Sequence, residues 1–426
     1  MKLSRSTWSS TRATLIGLLL GGLATLSAHA LPAYARQTGM ECSGCHVGAF
    51  GPQLTPAGVR FKLGGYTDSN GKDGNIPLSG MLLADYSHTH APQDPPPDGL
   101  KANNNTSLDQ ASIFIAGRAS DHLGGFMQLT YDGVAHKFGL DNTDLRAVTT
   151  TDIAGQEAIL GLTLNNNPTV QDPFNTLPAW GYPYVSPAAG FGAGDSSSLI
   201  NGGLGGIVFG VSGYAVIDKD WYAELGSYRS MTPQTQSDLG LGRDDQKLEG
   251  NLYWRFAWMH DAKAVAYHLG LFGWSARLEA DRTAPGPVDS YRDIGIDGSY
   301  EFLGTREHVW TVFGSVTSEL QRAGADGSRN RLIEERLNAS YNYMQTWGAS
   351  GGLFATRGSD PTAATRGAIL QADWTPWGKE EAEAPAGLQW LNLKLGAQYW
   401  RYSTFDGVRS GAGDHNTLSV FAWSAF

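Results

Sequence analysis

Five consecutive residues carry the most specific chemistry in this chain: Cys42-Ser43-Gly44-Cys45-His46. The pattern C-x-x-C-H is the attachment signal for a c-type haem. Two thiols separated by two residues can add to the vinyl groups along one edge of a porphyrin. The adjoining imidazole can then reach the iron as proximal axial ligand. The expected cofactor is one covalent haem c, bound by Cys42, Cys45 and His46, with His46 on the metal. The chain has only two cysteines, so no structural disulfide can form elsewhere. A four-ligand zinc site would need partners of other residue types. Three simpler readings stay open: a Cys42–Cys45 disulfide, a redox C-x-x-C, and chance. A thioredoxin-like motif sits at a helix start in a βαβ setting, and no such pattern surrounds this one.

Three further features say where such a motif would work. Lys2, Arg5 and Arg12 precede an apolar run from Leu15 to Leu26, and Ala28-His29-Ala30 follows as an A-x-A cleavage site. Residues 1–30 therefore read as a secretory signal peptide, with an apolar run too short to span a membrane as a helix. Export suits the motif, because haem c is attached outside the cytoplasm. Cleavage after Ala30 would leave 28 Lys and Arg against 41 Asp and Glu, a formal charge of −13. That excludes a basic nucleic-acid footprint.

Residues 31–77 read as a haem segment. They hold the motif, then Gly51-Pro52-Gln53-Leu54-Thr55-Pro56, then Val59 to Tyr66. A polar linker, Thr67 to Asn75, closes the segment; Lys72 breaks the ligand order of a calcium loop there. So short a stretch buries too little surface to stand alone, so it is expected to lean on the rest of the chain.

Residues 78–426 change character. With 55 glycines and 19 prolines in the chain, this region reads as strands and turns, about ten residues per segment, with alternating hydrophobicity. In Ile207–Ile217, Phe209, Val211, Ala215 and Ile217 share one face. In Leu391–Tyr399, Leu393, Leu395, Ala397 and Tyr399 do the same. Leu418, Val420, Ala422 and Phe426 share a face of the last strand, which ends on an aromatic as outer-membrane proteins do. Ser120-Asp121-His122 and Asp218-Lys219-Asp220 read as tight periplasmic turns. Ala91–Ser107, Asn165–Ser198, Met231–Gln246 and Thr404–Asp414 read as long outer loops. The pattern predicts an all-β fold, an antiparallel transmembrane β-barrel of about sixteen strands in the outer membrane of a Gram-negative bacterium.

The two halves together resemble the fused monohaem cytochrome–porin family, whose best-known members are outer-membrane iron oxidases. The resemblance rests on Pro32-Ala33-Tyr34-Ala35-Arg36-Gln37, the C-x-x-C-H motif, Leu54-Thr55-Pro56 and Phe61-Lys62-Leu63-Gly64-Gly65-Tyr66. It carries Cys42, Cys45 and His46 over as haem ligands, and Arg36, Gln37, Phe61, Lys62 and Tyr66 as motif positions only. Ala57 departs from the iron-oxidase branch, where an aromatic often follows that proline.

The resemblance implies a haem plug at the periplasmic mouth that relays electrons across an insulating membrane. Extracellular Fe(II) would be the leading donor, and a periplasmic cytochrome or other soluble carrier the acceptor. The alternatives are a porin with a structural or sensory haem plug, or a relay for a donor other than iron. The candidates for a second axial ligand are Met40, Met81, His88, His90, His122, Met127 and His136. Arg36, Arg60 and Lys62 are candidates to pair with haem propionates. Asp172, Asp195, Asp244, Asp245, Asp281, Asp289, Asp406 and Asp414 recur in the expected outer loops, where charge needs no explanation beyond solvent.

Overall fold

Alternation of apolar and polar residues puts every second side chain on one face of a strand, and here it closes a sheet on itself. The computed structural model describes residues 32–72, 76–93, 96, 99–181, 183–185, 196–377, 385, 388 and 391–426. The expected signal peptide and Asp195 lie outside the described residues. Sixteen antiparallel strands form a closed barrel, each paired with its sequence neighbours. The seam joins β1 (Leu78–Thr89) to β16 (Thr417–Ala425), from Met81 opposite Ala425 to Thr89 opposite Thr417. Closure leaves no unpaired strand edge.

The two faces of the wall differ as a bilayer-spanning sheet requires. Outward, Val211, Leu225, Leu353 and Leu370 are 57–63% exposed. Apolar surface of this extent, all round one face, is costly in water and is removed from it by lipid. Aromatic residues collect outward beside the short turns. Trp310 meets Tyr341 at 4.3 Å and Trp347 meets Trp374 at 5.5 Å, and Trp221, Trp258 and Tyr267 form a second run elsewhere on the wall. Such girdles mark the membrane–water boundary of barrels. No helix among the described residues is long and apolar enough to cross a membrane.

The tight turns at Ser120–His122 and Asp218–Asp220 fall between strands where the sequence placed them, and 231–246 is a connection with the expected bounds. The alternation of short and long connections is incomplete. The connection 133–136 is short on the long-loop end, and 375–391 is long on the short-turn end.

The lumen is filled from both ends. At the short-turn end lie three helices, α1 (Ala33–Thr38), α2 (Cys42–Cys45) and α3 (Pro56–Leu63). From the long-loop end, the connection between β5 (Gln156–Asn165) and β6 (Val208–Ile217) turns inward. Its residues Val170, Gln171, Asp172, Phe174 and Leu177 are buried. Segment, loop and wall share two apolar cores. One joins Ala33, Phe61 and Tyr66 to Phe126 and Val170, and the other joins Leu63 to Phe174, Tyr214 and Tyr222.

Candidate functional site

The motif folds as one helical turn. In α2, Cys42 and Cys45 are three residues apart, so both thiols share a face. They are free of a disulfide and half-buried. His46 leaves the turn in an extended conformation, its N–H donating to the Cys42 carbonyl at 2.8 Å. It then pairs with Leu54 in an antiparallel bridge, which folds 46–54 into a closed loop.

Thr55 is the hinge of that loop. Its N–H donates to the Cys45 carbonyl at 2.9 Å, and its hydroxyl donates to the Gly44 carbonyl at 2.6 Å. The same oxygen caps α3 by accepting from Gly58 N–H, with Pro56 at the first helical position, where a missing N–H costs nothing. Gly58 is required by packing. A Cβ there would lie 2.5 Å from the Cys45 carbonyl oxygen.

The barrel holds the other side. Gly48 N–H donates to Gln345 at 2.6 Å, Gln53 to the Thr311 hydroxyl at 2.8 Å, and Asn392 to the Ala49 carbonyl at 2.8 Å. Gly48 has φ 72° and its position is crowded by Asn342. Each such bond contributes about 1 kcal/mol net and leaves a costly orphan if broken.

Burial pushes the Cys42 thiol up to about 11, with the facing Asn392 amide acting against it. Burial raises Cys45 as well. Reactive redox motifs need the opposite shift, toward thiolate, so the electrostatics disfavour a thioredoxin-like C-x-x-C. Burial pushes His46 down to about 4, opposed by the backbone at Gln53 and Gly51 and reinforced by Lys394. The ring is therefore neutral at physiological pH, the form that binds metal. His46 Nδ1 is buried with no hydrogen-bond partner. Two free thiols on one face beside a neutral, incompletely bonded imidazole fit a covalently attached haem.

The other candidates disperse. Met40 is exposed. His88 bonds Asn104, His122 lies on a short turn against the Val148 carbonyl, and His136 bonds Tyr131 at a far loop. His90 is exposed in a loop, and Met127 takes an outward position in its strand. Met81 differs. It is buried at the short-turn end, opposite Ala425, which in turn is opposite Asn392. A lumen-facing row of three thus leads from the Cys42 thiol's neighbour to the Met81 thioether.

The three cations considered for propionates are engaged elsewhere. Arg36 bonds the Ile76 and Leu78 carbonyls, and Arg60 pairs with Asp261. Lys62 donates to the Val170 and Asp172 carbonyls and to Asn175 Oδ1, all within 2.8 Å. It fastens the helical segment to the inward loop.

Of the loop aspartates, Asp172 is fully buried and paired with Arg255 at 3.0 Å, so it is a structural anchor. Asp281 and Asp289 bond neighbouring backbone N–H groups, and Asp245 pairs with Arg243. No group of three or more His, Cys, Asp or Glu among the described residues converges as a metal site. Sequence reasoning missed Asn392, Gly58 and the buried Asp144–Arg146 pair. Only Thr55 before Pro56 gave a readable signal, that of a helix start.

No protein-family model matches the chain, and no curated protein matches it in sequence. Solved structures do match in fold. The outer membrane channel DcaP of Acinetobacter baumannii is 11% identical over 83% of this chain and 97% of its own, with a TM-score of 0.49. The anion-selective porin from Comamonas acidovorans is 12% identical over 82% and 98%, with a TM-score of 0.46. A loop-deletion mutant of OmpT, an outer membrane protein of Vibrio cholerae, is 11% identical over 82% and 98%, with a TM-score of 0.43.

Proposed function

We propose that this chain is an exported outer-membrane protein that carries single electrons through a haem c held by Cys42, Cys45 and His46. The external donor is Fe(II), and the acceptor is a periplasmic cytochrome or comparable soluble carrier. The reading is supported chiefly by one observation: the motif-bearing segment is built into the barrel, and the inward loop meets it inside the lumen. A barrel of this size leaves an aqueous channel unless something fills it. Here the filling carries the haem motif.

Bound there, the haem supplies reversible one-electron exchange. The chain's own residues do the rest. Cys42 and Cys45 would hold the group through two thioethers, and His46 would offer it an imidazole. Thr55 and Gly58 fix the angle between the motif and α3. Asn392, Gln345 and Thr311 tie the motif loop to the wall. Phe50 packs edge-on against Trp423 at 5.0 Å, which fixes one flank of the loop against the wall.

The test is a proteoliposome with Fe(II) outside and oxidised cytochrome c inside. Reduction of the internal cytochrome only by haem-loaded protein supports the relay. Free leakage of small solutes without electron transfer would replace it with the porin reading. Transfer from other reductants but not Fe(II) would keep the relay and remove iron, the outcome to which the Ala57 departure points.

A further inference from the structure

We propose that a chain of aromatic rings ending at Trp180 is the path by which electrons reach the haem segment from the lumen. The inference rests on the electron-transfer reading above. Tunnelling through protein falls off exponentially with distance, and the motif lies at the short-turn mouth. Even the nine-residue β16 rises about 30 Å along its axis. A donor arriving from the long-loop end is therefore remote from the motif unless the interval is bridged.

Rings occupy part of that interval in unbroken contact. Tyr34 and Tyr66 stack with centroids 5.3 Å apart and planes within 3°. Phe61 stands edge-on to both, at 4.9 and 5.6 Å. Tyr66 meets Phe126 of the wall at 6.1 Å, and Phe126 meets Trp180 at 6.3 Å. These are direct-contact separations for aromatic pairs, so each step through space is short. The near end is joined to the motif through α3. Phe61 lies on α3, whose Gly58 abuts the Cys45 carbonyl.

The far end is in the inward loop. Phe61, Tyr66 and Phe126 are buried, whereas Trp180 is half-exposed and its neighbour Gly181 is exposed. The indole is held in place by its N–H, which donates to the Val170 carbonyl at 3.1 Å. Lys62 Nζ lies 4.6 Å from the ring centre. When protonated, an amine so placed disfavours a lasting tryptophan radical cation, so the ring then conducts without being oxidised. The overall step is one electron and nothing else. The donor's oxidation state rises by one, ferric haem becomes ferrous, and no bond or proton moves.

The test uses haem-loaded protein in proteoliposomes with oxidised cytochrome c inside. Fe(II) and hexaammineruthenium(II) are the external reductants. Trp180→Leu and Phe126→Leu should each slow internal reduction several-fold, with the haem spectrum and midpoint potential unchanged. Trp180→Phe, which keeps a ring, should stay near the parent rate. In haem-free protein, the fluorescence that Trp180→Phe removes should be quenched by external iodide. Parent rates in Trp180→Leu would overturn the path, as would a shifted spectrum or potential, which would make Trp180 a packing element of the haem segment. If the parent protein itself transfers no electrons, the functional reading fails and the path falls with it.

Discussion

Asp144 and Arg146, two residues apart on one lumen-facing row of β4 (Lys137–Ile153), form an ion pair at 2.9 Å with neither side chain exposed. Asp144 also accepts from the Tyr66 hydroxyl at 2.7 Å, and Arg146 donates to the Lys62 carbonyl at 3.2 Å. One strand thus holds the helical segment at two points. Removing one member of a buried pair leaves an uncompensated charge and costs about 3–5 kcal/mol. Arg146→Ala should therefore lower the unfolding free energy in detergent by that amount, read from the denaturant midpoint, and Asp144→Leu/Arg146→Leu should recover part of it. Equal loss in the single and double variants would show that the pair contributes no coupling.

Cofactor attachment gives the plainest prediction. Cys42→Ala or Cys45→Ala would remove one thioether of the proposed haem, and the double variant both. Expressed with the cytochrome c maturation machinery, each single variant should show weak haem staining on denaturing gels, and the double variant none. Undiminished stain in the double variant would refute covalent binding.

Met81 is the candidate whose thioether would serve a haem held at Cys42, Cys45 and His46. A His/Met pair raises a haem potential relative to ligation without the thioether. Met81→Leu should lower the midpoint potential and allow carbon monoxide to bind the ferrous form, whereas Met127→Leu, on the outward face, should do neither. An unchanged spectrum and potential in Met81→Leu would remove Met81 from the ligand set.

Lys62 should give stability a pH dependence. Burial pushes its ammonium down to about 7, against the opposing pull of Asp144, while an unfolded lysine titrates near 10.4. Between those values the unfolded chain binds more protons, so stability rises with pH. The penalty is present in full below about pH 7 and is relieved toward pH 10. The difference in melting temperature between the parent and Lys62→Met should grow in the parent's favour across that window. A slope of opposite sign would mean that the three acceptors around Nζ outweigh burial.

What the sequence made legible follows physical periodicity. Two-residue alternation identified strands such as Val208–Ile217 and the outward faces of Phe209 and Val211, because lipid on one side enforces the pattern. The motif stood out because C-x-x-C-H fixes residue type and spacing together, and the structure gathers its two thiols on one helical turn. The inward course of 166–181 was not legible. Its buried anchors, Asp172 and Gln171, are polar residues that look solvated until Arg255 and Tyr228 are placed beside them. Likewise Lys62, Arg36 and Arg60 looked available to a ligand, and each is committed to a partner distant in sequence. The outward Trp and Tyr residues lay within a few positions of turns, and that regularity was readable but unread.

The contact between Lys62 and the inward loop links the two mouths of the barrel thermodynamically. Lys62, on the segment at one end, donates to the Asp172 carbonyl, while the Asp172 carboxylate accepts from the backbone of Thr176 and Leu177 and pairs with Arg255 of the wall. Seating either element presents the other with preformed acceptors or a preformed cation, which lowers its cost of ordering. By linkage the effect is reciprocal. Loosening the loop from outside must weaken the hold on the segment at the opposite mouth by the same free energy. An agent that binds only the exterior surface would then be sensed as a change in the ordering of the residues around Cys42, Cys45 and His46.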